Sequence, residues 1–515
     1  TQGYSSAASD VYKRQDLDNA SVRVRKETQN TLKYDYKLKC TYKDKVYRKS
    51  YDDTTPNITK KEDLALENVM SNNTKGNYHS SEYRTKVTKI ITKNVISIPA
   101  NIVGKWDVSQ ANDGSVIAYA ENDGNGGYII TICSDGKTYL NGNYDYLFFN
   151  FSALVDIDLS NFNTNKVISM KAMFGNCNNL QKINLSSFDT SQVTSMSNMF
   201  NGCNKLSNLD LSNFNTSKVI MMENLLYDCY NLENINLGSF DTTNVINMSS
   251  MFNNCKRLTS LDISNFKTSN VRYMDYMFAH CNKISTLDLS NFDTSNVTTM
   301  AGMFYGCKGL TNLNISNFKT QKVTDMNRMF CGCALTSIDL SNFNTSAVKD
   351  MGEMFAGSSF IQLNLNNFNT SQVTNMSQMF NRCSKLTTLD LSNFDTRKVT
   401  MMTDMFSFCR SLISLNLSNF DTSQVINMAN MFEWCDKLTN LDLGSFNTSI
   451  LANTSYMFSR CTSLRTINLS KAVFTKVTNS SDMFDGTSNL TVKVKDEAAK
   501  TFLTSKLGSH GTAVI

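Results

Sequence analysis

Phenylalanine returns at a fixed interval through most of this chain. Phe162, Phe188, Phe214, Phe240, Phe266, Phe292, Phe318, Phe343, Phe368, Phe394, Phe420 and Phe446 are 26 residues apart, except for two steps of 25. A unit this short cannot bury its own apolar residues, so such a chain must stack its copies into a solenoid. Cysteine keeps the same period: Cys177, Cys203, Cys229, Cys255, Cys281, Cys307, Cys333, Cys383, Cys409, Cys435 and Cys461 step by 26, with one gap of 50 in which Ser358 holds the place. Both short phenylalanine steps coincide with a residue missing after the cysteine position, at Ala334-Leu335 and Ser359-Phe360, which marks a loop there.

One unit runs Leu206-x-x-Leu209-Asp210-Leu211-Ser212-Asn213-Phe214 and then Asn215-Thr216-Ser217-Lys218-Val219. A typical copy ends as Val193 to Cys203 does, Val-Thr-x-Met-x-x-Met-Phe-x-x-Cys. The first part has the leucine-rich-repeat spacing, and its alternation predicts a short strand with Leu209 and Leu211 on one face and Asp210 on the other. In the second part Val193, Met196, Met199, Phe200 and Cys203 recur at three and four, the stripe of a short helix, with Thr190 and Ser191 at the N-cap. The expected fold is therefore an α/β leucine-rich-repeat solenoid of about 13 coils. Its parallel sheet, on the order of 60 Å long, lines one face and short helices line the other.

The ends differ in character. Residues 96–153, with Trp106, a strand at Ser115 to Ala120 and another at Tyr128 to Cys133, read as an N-terminal cap before repeats at 154–489. Residues 490–515, a strand at Leu490 to Val494 and a helix from Asp496 to Leu507, read as the C-terminal cap. Upstream, Leu32, Tyr34, Tyr36, Leu38, Cys40 and Tyr42 alternate with polar residues as a half-buried strand, and Val46-Tyr47 returns as its hairpin partner. So 16–55 reads as part of a β-rich module, joined by a polar linker at 56–95. Residues 1–15 resemble a sequencing-adapter sequence translated in frame and are set aside; an anchor or signal is expected to lie in missing termini.

Leu287 to Cys307, Leu-Asp-Leu-Ser-Asn-Phe-Asp-Thr-Ser-x-Val-Thr-x-Met-x-x-Met-Phe-x-x-Cys, resembles the BspA-like leucine-rich-repeat surface proteins. Their 26-residue unit is also found in mycoplasma lipoproteins, and the resemblance covers about residues 100–490, beginning at Trp106-Asp107-Val108-Ser109. Departures are few: Leu225-Leu226 replaces Met-Phe, Ser358 and Thr487 replace cysteine, and the copy at Lys471 to Phe474 lacks the Asn-Phe pair. The resemblance implies an exported protein at a bacterial or protist cell surface. It implies adhesion to host matrix proteins or other microbial surfaces and no catalytic residues; no nucleic-acid partner is expected.

The residues themselves also point away from catalysis. His79, His280 and His510 have no nucleophile at a recurring offset, and Gly124-Asn125-Gly126-Gly127 lacks the Lys-Ser/Thr of a phosphate loop. No cofactor is expected. The cysteines and the 26 methionines fall at stripe positions and read as core. Charge is uneven: residues 16–105 hold 18 Lys/Arg against 11 Asp/Glu, whereas 106–515 hold 30 against 33. The candidate binding strip is the position between the two strand leucines. It carries Asp158, Asp210, Asp262, Asp288, Asp339, Asp390 and Asp442, nearly always alternating with Asn. Only Asp262 and Asp288 are adjacent acids, the pair at which a cation such as calcium would sit. Two functions fit: a surface binding scaffold, or a structural spacer or surface-layer component presenting another domain.

Overall fold

The computed structural model describes residues 81–515, with 38–42 and 45–49. The chain divides into two units, residues 1–60 and 61–515. In the first, Leu38–Tyr42 and Lys45–Lys49 form an antiparallel hairpin with Leu38 opposite Lys49. Residues 1–15, the remainder of the module expected at 16–55, and residues 56–80 lie outside the described residues.

The second unit opens in secondary structure where the sequence had suggested a linker reaching residue 95. Val87–Lys93 is an inner strand of a six-stranded sheet. The order is Lys182–Asn184, Asp156–Asp158, Val87–Lys93, Tyr128–Ser134, Val116–Asn122 and Gly104–Asp107. Val87 and Ile90 are drawn in because they are fully buried against the core that also holds Val116, Ala118, Ile130 and Ile132. Val87–Lys93 pairs in parallel with Asp156–Asp158, so the cap sheet offers the first repeats a parallel edge. Thr138–Asn143 does the same for the opposite wall by pairing in parallel with Phe162–Ser169.

Each coil has two walls. On the Leu-x-Leu wall, short parallel strands pair in twos: Asn208–Asp210 with Asn234–Asn236, Thr286–Asp288 with Asn312–Asn314, and Asn440–Asp442 with Thr466–Leu469. Every such pair joins a coil carrying Asp to the following coil carrying Asn. The continuous ladder runs along the other wall, as unbroken parallel bridges from Ser169 through Ser195, Met221 and Asn247 to Asn479.

That second wall was expected to be helical and is not. Met196, Asn198, Phe200 and Gly202 donate their N–H groups to the next coil, at Met221, Glu223, Leu225 and Tyr227 (2.8–3.0 Å). The residues between close tight turns within the coil, Met199 N–H to Met196 C=O (3.2 Å) and Cys203 N–H to Phe200 C=O (3.1 Å). Asn198 at φ 59° and Gly202 at φ 76° break any i to i−4 helical bond at every fourth residue. A turn every four residues buries Met196, Met199, Phe200 and Cys203 as a helix stripe would, so the apolar spacing does not tell the two apart.

The expected N-cap threonine has a different task. Thr190 Oγ1 donates to Asn215 C=O (2.9 Å) and accepts from Asn215 N–H (2.8 Å), so one buried hydroxyl satisfies two backbone groups of the next coil. The arrangement recurs at Thr164, Thr294, Thr345, Thr396 and Thr448. The asparagine of Asn-Phe works in the opposite direction: Asn393 Nδ2 donates to Leu365 C=O (2.9 Å) and Phe368 C=O (2.7 Å) of the preceding coil. Where Ser replaces it, a single bond remains, as from Ser239 Oγ to Leu211 C=O (3.1 Å).

Apolar columns fill the interior. Phe406, Phe432 and Phe458 stack at 5.6 and 5.7 Å between ring centroids, with interplanar angles of 9° and 1°. Beside them each ladder Cys Sγ reaches back to a carbonyl of the preceding coil, that of a phenylalanine as in Cys203 to Phe174 (3.3 Å), or of Leu226 at Cys255 (3.4 Å). Ser358 and Thr487 turn their hydroxyls instead to a carbonyl of their own coil, Phe355 C=O (2.6 Å) and Phe484 C=O (2.8 Å), so the buried hydroxyl is satisfied locally. The cysteines from Cys133 to Cys461 are free thiols, and burial pushes the ladder thiols up, Cys177 to about 12. At the far end Leu490–Val494, the helix Glu497–Leu507 capped by Asp496, and the strand Gly511–Val514 close the stack, with Leu503 and Leu507 buried over it.

Replacing one rung, Thr294→Val, strands the N–H and C=O of Lys319 and is expected to cost about 1–3 kcal/mol, with Thr294→Ser losing less. Urea denaturation followed by circular dichroism measures both. Among the cysteines from Cys133 to Cys461, native-state alkylation is expected to label Cys331 first, since it alone of these is not fully buried, and the ladder only after denaturation. Mass spectrometry of labelled peptides reads the order.

Candidate functional site

The strip of acids and amides between the strand leucines is exposed along much of its length, and its chemistry is local. Asp210 Oδ1 accepts from Ser212 N–H (3.0 Å), Asp288 Oδ1 from Ser290 N–H (3.0 Å), and Asn314 Oδ1 from Ser316 N–H (3.2 Å). Asp158, Asp339, Asp390 and Asp442 do the same two residues on. Each of these side chains makes an Asx turn, a role Asp and Asn perform equally through Oδ1. Asn also donates to the Asp one coil before, as Asn468 Nδ2 to Asp442 Oδ1 (2.7 Å) and Asn184 Nδ2 to Asp158 Oδ1 (3.1 Å). Asn314 does the same for Asp288, so at these steps an amide stands where a second carboxylate would repel the first. At Asp262 the Ser264 hydroxyl (2.7 Å) and N–H (3.1 Å) hold the carboxyl below the usual carboxylate range. Asp288 is lowered in the same way by Ser290. Among the described residues no three His, Cys, Asp or Glu side chains gather where they could hold a metal ion.

Variation is concentrated on the turn wall instead. The residue before each cysteine position takes a left-handed conformation and projects outward, and it changes from coil to coil: Asp228, Asn254, His280, Gly306, Arg382, Phe408, Trp434, Arg460. Bulky residues pay a backbone penalty there that Gly and Asn avoid. His280, Arg382, Phe408, Trp434 and Arg460 nonetheless sit at φ 58–59°. Phe408 and Trp434 stack at 5.9 Å, with Arg382 over Phe408 (4.7 Å) and Arg410 over Trp434 (4.5 Å). Farther back Tyr305 meets His280 edge-on at 4.7 Å and Tyr276 at 6.4 Å. Sequence reasoning centred on the acidic strip passed over this column. Aligning the repeats on cysteine and asking which position varies most would have shown it.

The same wall carries carboxyls held part-way inside. Burial raises Glu223, opposed by the Ser197 hydroxyl, and raises Asp275, whose Oδ1 accepts from Ser249 Oγ (2.8 Å). Glu223 Oε2 is buried without a hydrogen-bond partner. Arg328 and Glu353 pair through two bonds of 2.6 and 2.9 Å in adjacent coils.

Four overlapping stretches, residues 143–258, 228–334, 307–412 and 385–496, match the family described as "Mycoplasma protein of unknown function, DUF285". The chain belongs to this family. Among solved structures it is similar to the crystal structure of the LRIM1/APL1C complex, at 13% identity and a TM-score of 0.17, over 73% of this chain and 66% of that one. It thus spans just under two thirds of that relative's length. No curated protein matches. Among the described residues no helix is long and apolar enough to cross a membrane.

The raised Glu223 and Asp275 mean that the folded chain holds their protons more tightly than the unfolded one. Their contribution to stability is therefore full at acid pH and is lost as pH rises through their folded values. Glu223→Gln and Asp275→Asn are expected to raise the unfolding midpoint at pH 7 and to flatten its decline between acid and neutral pH. Thermal melts across that range test this.

Proposed function

We propose that this chain is a non-catalytic binding scaffold displayed at a cell surface, an adhesin of the BspA-like leucine-rich-repeat kind. Its partners on this reading are host extracellular-matrix proteins or the surfaces of other cells, and it needs no cofactor. The supporting observation is where the repeats differ from one another. Core and rung positions repeat almost unchanged, whereas the outward turn wall carries Tyr276, Tyr305, Phe408, Trp434 and Tyr456 among charged neighbours. Tyr, Trp and Arg in a half-exposed cluster are the side chains that dominate protein-binding energetics. Retaining Phe408 and Trp434 at strained backbone positions is an expense that folding alone does not explain. A spacer is the second reading, favoured by the unbroken ladder from Ser169 to Asn479, which makes a stiff support.

Purified chain is expected to bind immobilised fibronectin, fibrinogen or collagen saturably at physiological salt. Tyr276→Ala and Trp434→Ala should each weaken that binding about tenfold or more without changing the melting curve. A folded chain that binds none of these proteins and no whole cells, yet still supports surface structure after deletion of two whole coils, supports the spacer. Protease digestion of intact cells tests display at the surface.

A further inference from the structure

The loop from the residue before each cysteine position to two residues after it recurs in every coil and forms one long edge of the solenoid. Between Asn176 and Asn489 this edge carries ten Lys or Arg and only two acids, Asp228 and Asp436. Residues 106–515 as a whole hold slightly more acids than bases, 33 against 30. The cations fall into two blocks of five. Lys205, Lys256, Arg257, Lys283 and Lys308 make the first, all exposed. Arg382, Lys385, Arg410, Lys437 and Arg460 make the second, also exposed. Between them lie the two shortened coils, whose edge is Gly332, Ala334, Gly357 and Ser359, uncharged and spanning about 14 Å at roughly 4.8 Å per coil.

Three of these cations form ion pairs, Arg257 with Glu233 (3.3 Å), Arg410 with Asp436 (3.9 Å) and Arg460 with Asp485 (3.1 Å), and Arg382 lies near enough to Asp404 and Glu433 for its charge to act on both. Exposed pairs of this kind are weak and give way to a stronger anion. The rings on the edge are already covered. Lys256 Nζ lies 4.4 Å over Tyr230, and Phe408 and Trp434 are sandwiched with each other and with Arg382 and Arg410. Nucleic-acid bases and sugar rings therefore find no open aromatic face, which removes the stacking half of single-strand recognition. Backbone groups on the turn wall are given to the next coil, as in Gly202 N–H to Tyr227 C=O (2.8 Å), so an acidic peptide cannot add itself as a strand. What remains is a row of exposed ammonium and guanidinium donors in two blocks along one edge of the solenoid.

We propose that this edge binds a linear anionic polysaccharide laid along the solenoid axis across both blocks. The inference rests on the binding-scaffold reading and assigns it a partner class. Heparin is the probe, against neutral dextran, oligo-dT and polyglutamate at equal charge concentration, with purified full chain over a salt series. Binding to heparin is expected to exceed the other three and to weaken linearly in log–log salt. Converting either block of five to Gln should lower heparin affinity about tenfold or more at physiological salt and reduce the salt slope by roughly half. A control changes five exposed lysines at another recurring position, the one before the repeat valine, Lys166, Lys218, Lys322, Lys398 and Lys476, to Gln and should retain most of the affinity. Equal loss in the control overturns the proposal. So does equal or tighter binding of oligo-dT or polyglutamate, or no heparin binding by a chain whose melting curve is unchanged. Protein ligands are tested apart from this: a chain that captures matrix proteins but ignores heparin overturns the polysaccharide inference and leaves the scaffold reading standing.

Discussion

A buried threonine hydroxyl shared between two coils is the contact on which the rest of this solenoid depends. Stacking coils along one axis removes backbone N–H and C=O groups from water at every turn of the chain, and each unpaired group is costly. Thr294 Oγ1 answers for both groups of Lys319 at once, with bonds of 3.0 and 2.7 Å. Asn265 Nδ2 answers for Leu237 C=O (3.1 Å) and Phe240 C=O (2.8 Å) from the other direction. These side chains therefore fix coil on coil at a constant register. The phenylalanine and cysteine columns fill the space that register leaves.

Strict demands inside leave freedom outside. A residue in the core must satisfy its own coil and both neighbours, so Val, Met, Phe and Cys positions barely change through residues 154–489. The outward residue before each cysteine touches few partners, and there the chain varies from Gly306 to Trp434. Because every coil presents that position in the same direction, single-residue differences accumulate into rows: rings beside rings, cations beside cations. Recognition by such a surface comes from many modest contacts along an axis and needs no pocket. The adjacent acids Asp325 and Asp350 illustrate the cost of this regularity, since burial and the neighbouring charge of Asp350 push Asp325 up.

Some features were legible from residue spacing and some were misread for identifiable reasons. The period, the cap strands Tyr128–Ser134 and Leu490–Val494, and the buried faces of Leu209 and Met199 follow directly from where apolar residues recur. The turn wall was taken for a helix because Met196, Met199, Phe200 and Cys203 have helical spacing, while the left-handed residues that forbid a helix, such as Asn198, are ordinary polar residues in the sequence. The acidic strip drew attention because charge alternation is visible in a sequence. Its purpose, an Asx turn plus an amide bond to the coil before, needs the geometry of Asn468 against Asp442.

The sequence by itself determined that the repeat region is a stack of 26-residue coils and which of its residues face inward, because a repeating apolar pattern has one way to be buried. Tertiary structure decided the rest. Whether a stripe becomes helix or turns depends on whether its N–H groups bond within the coil or to the next one, and only the stacked chain supplies that second partner. The same stacking decided which exposed residues become neighbours. Arg382, Phe408, Trp434 and Arg460 are about 26 residues apart in the chain and adjacent on the surface, so their row exists only once the coils are in place.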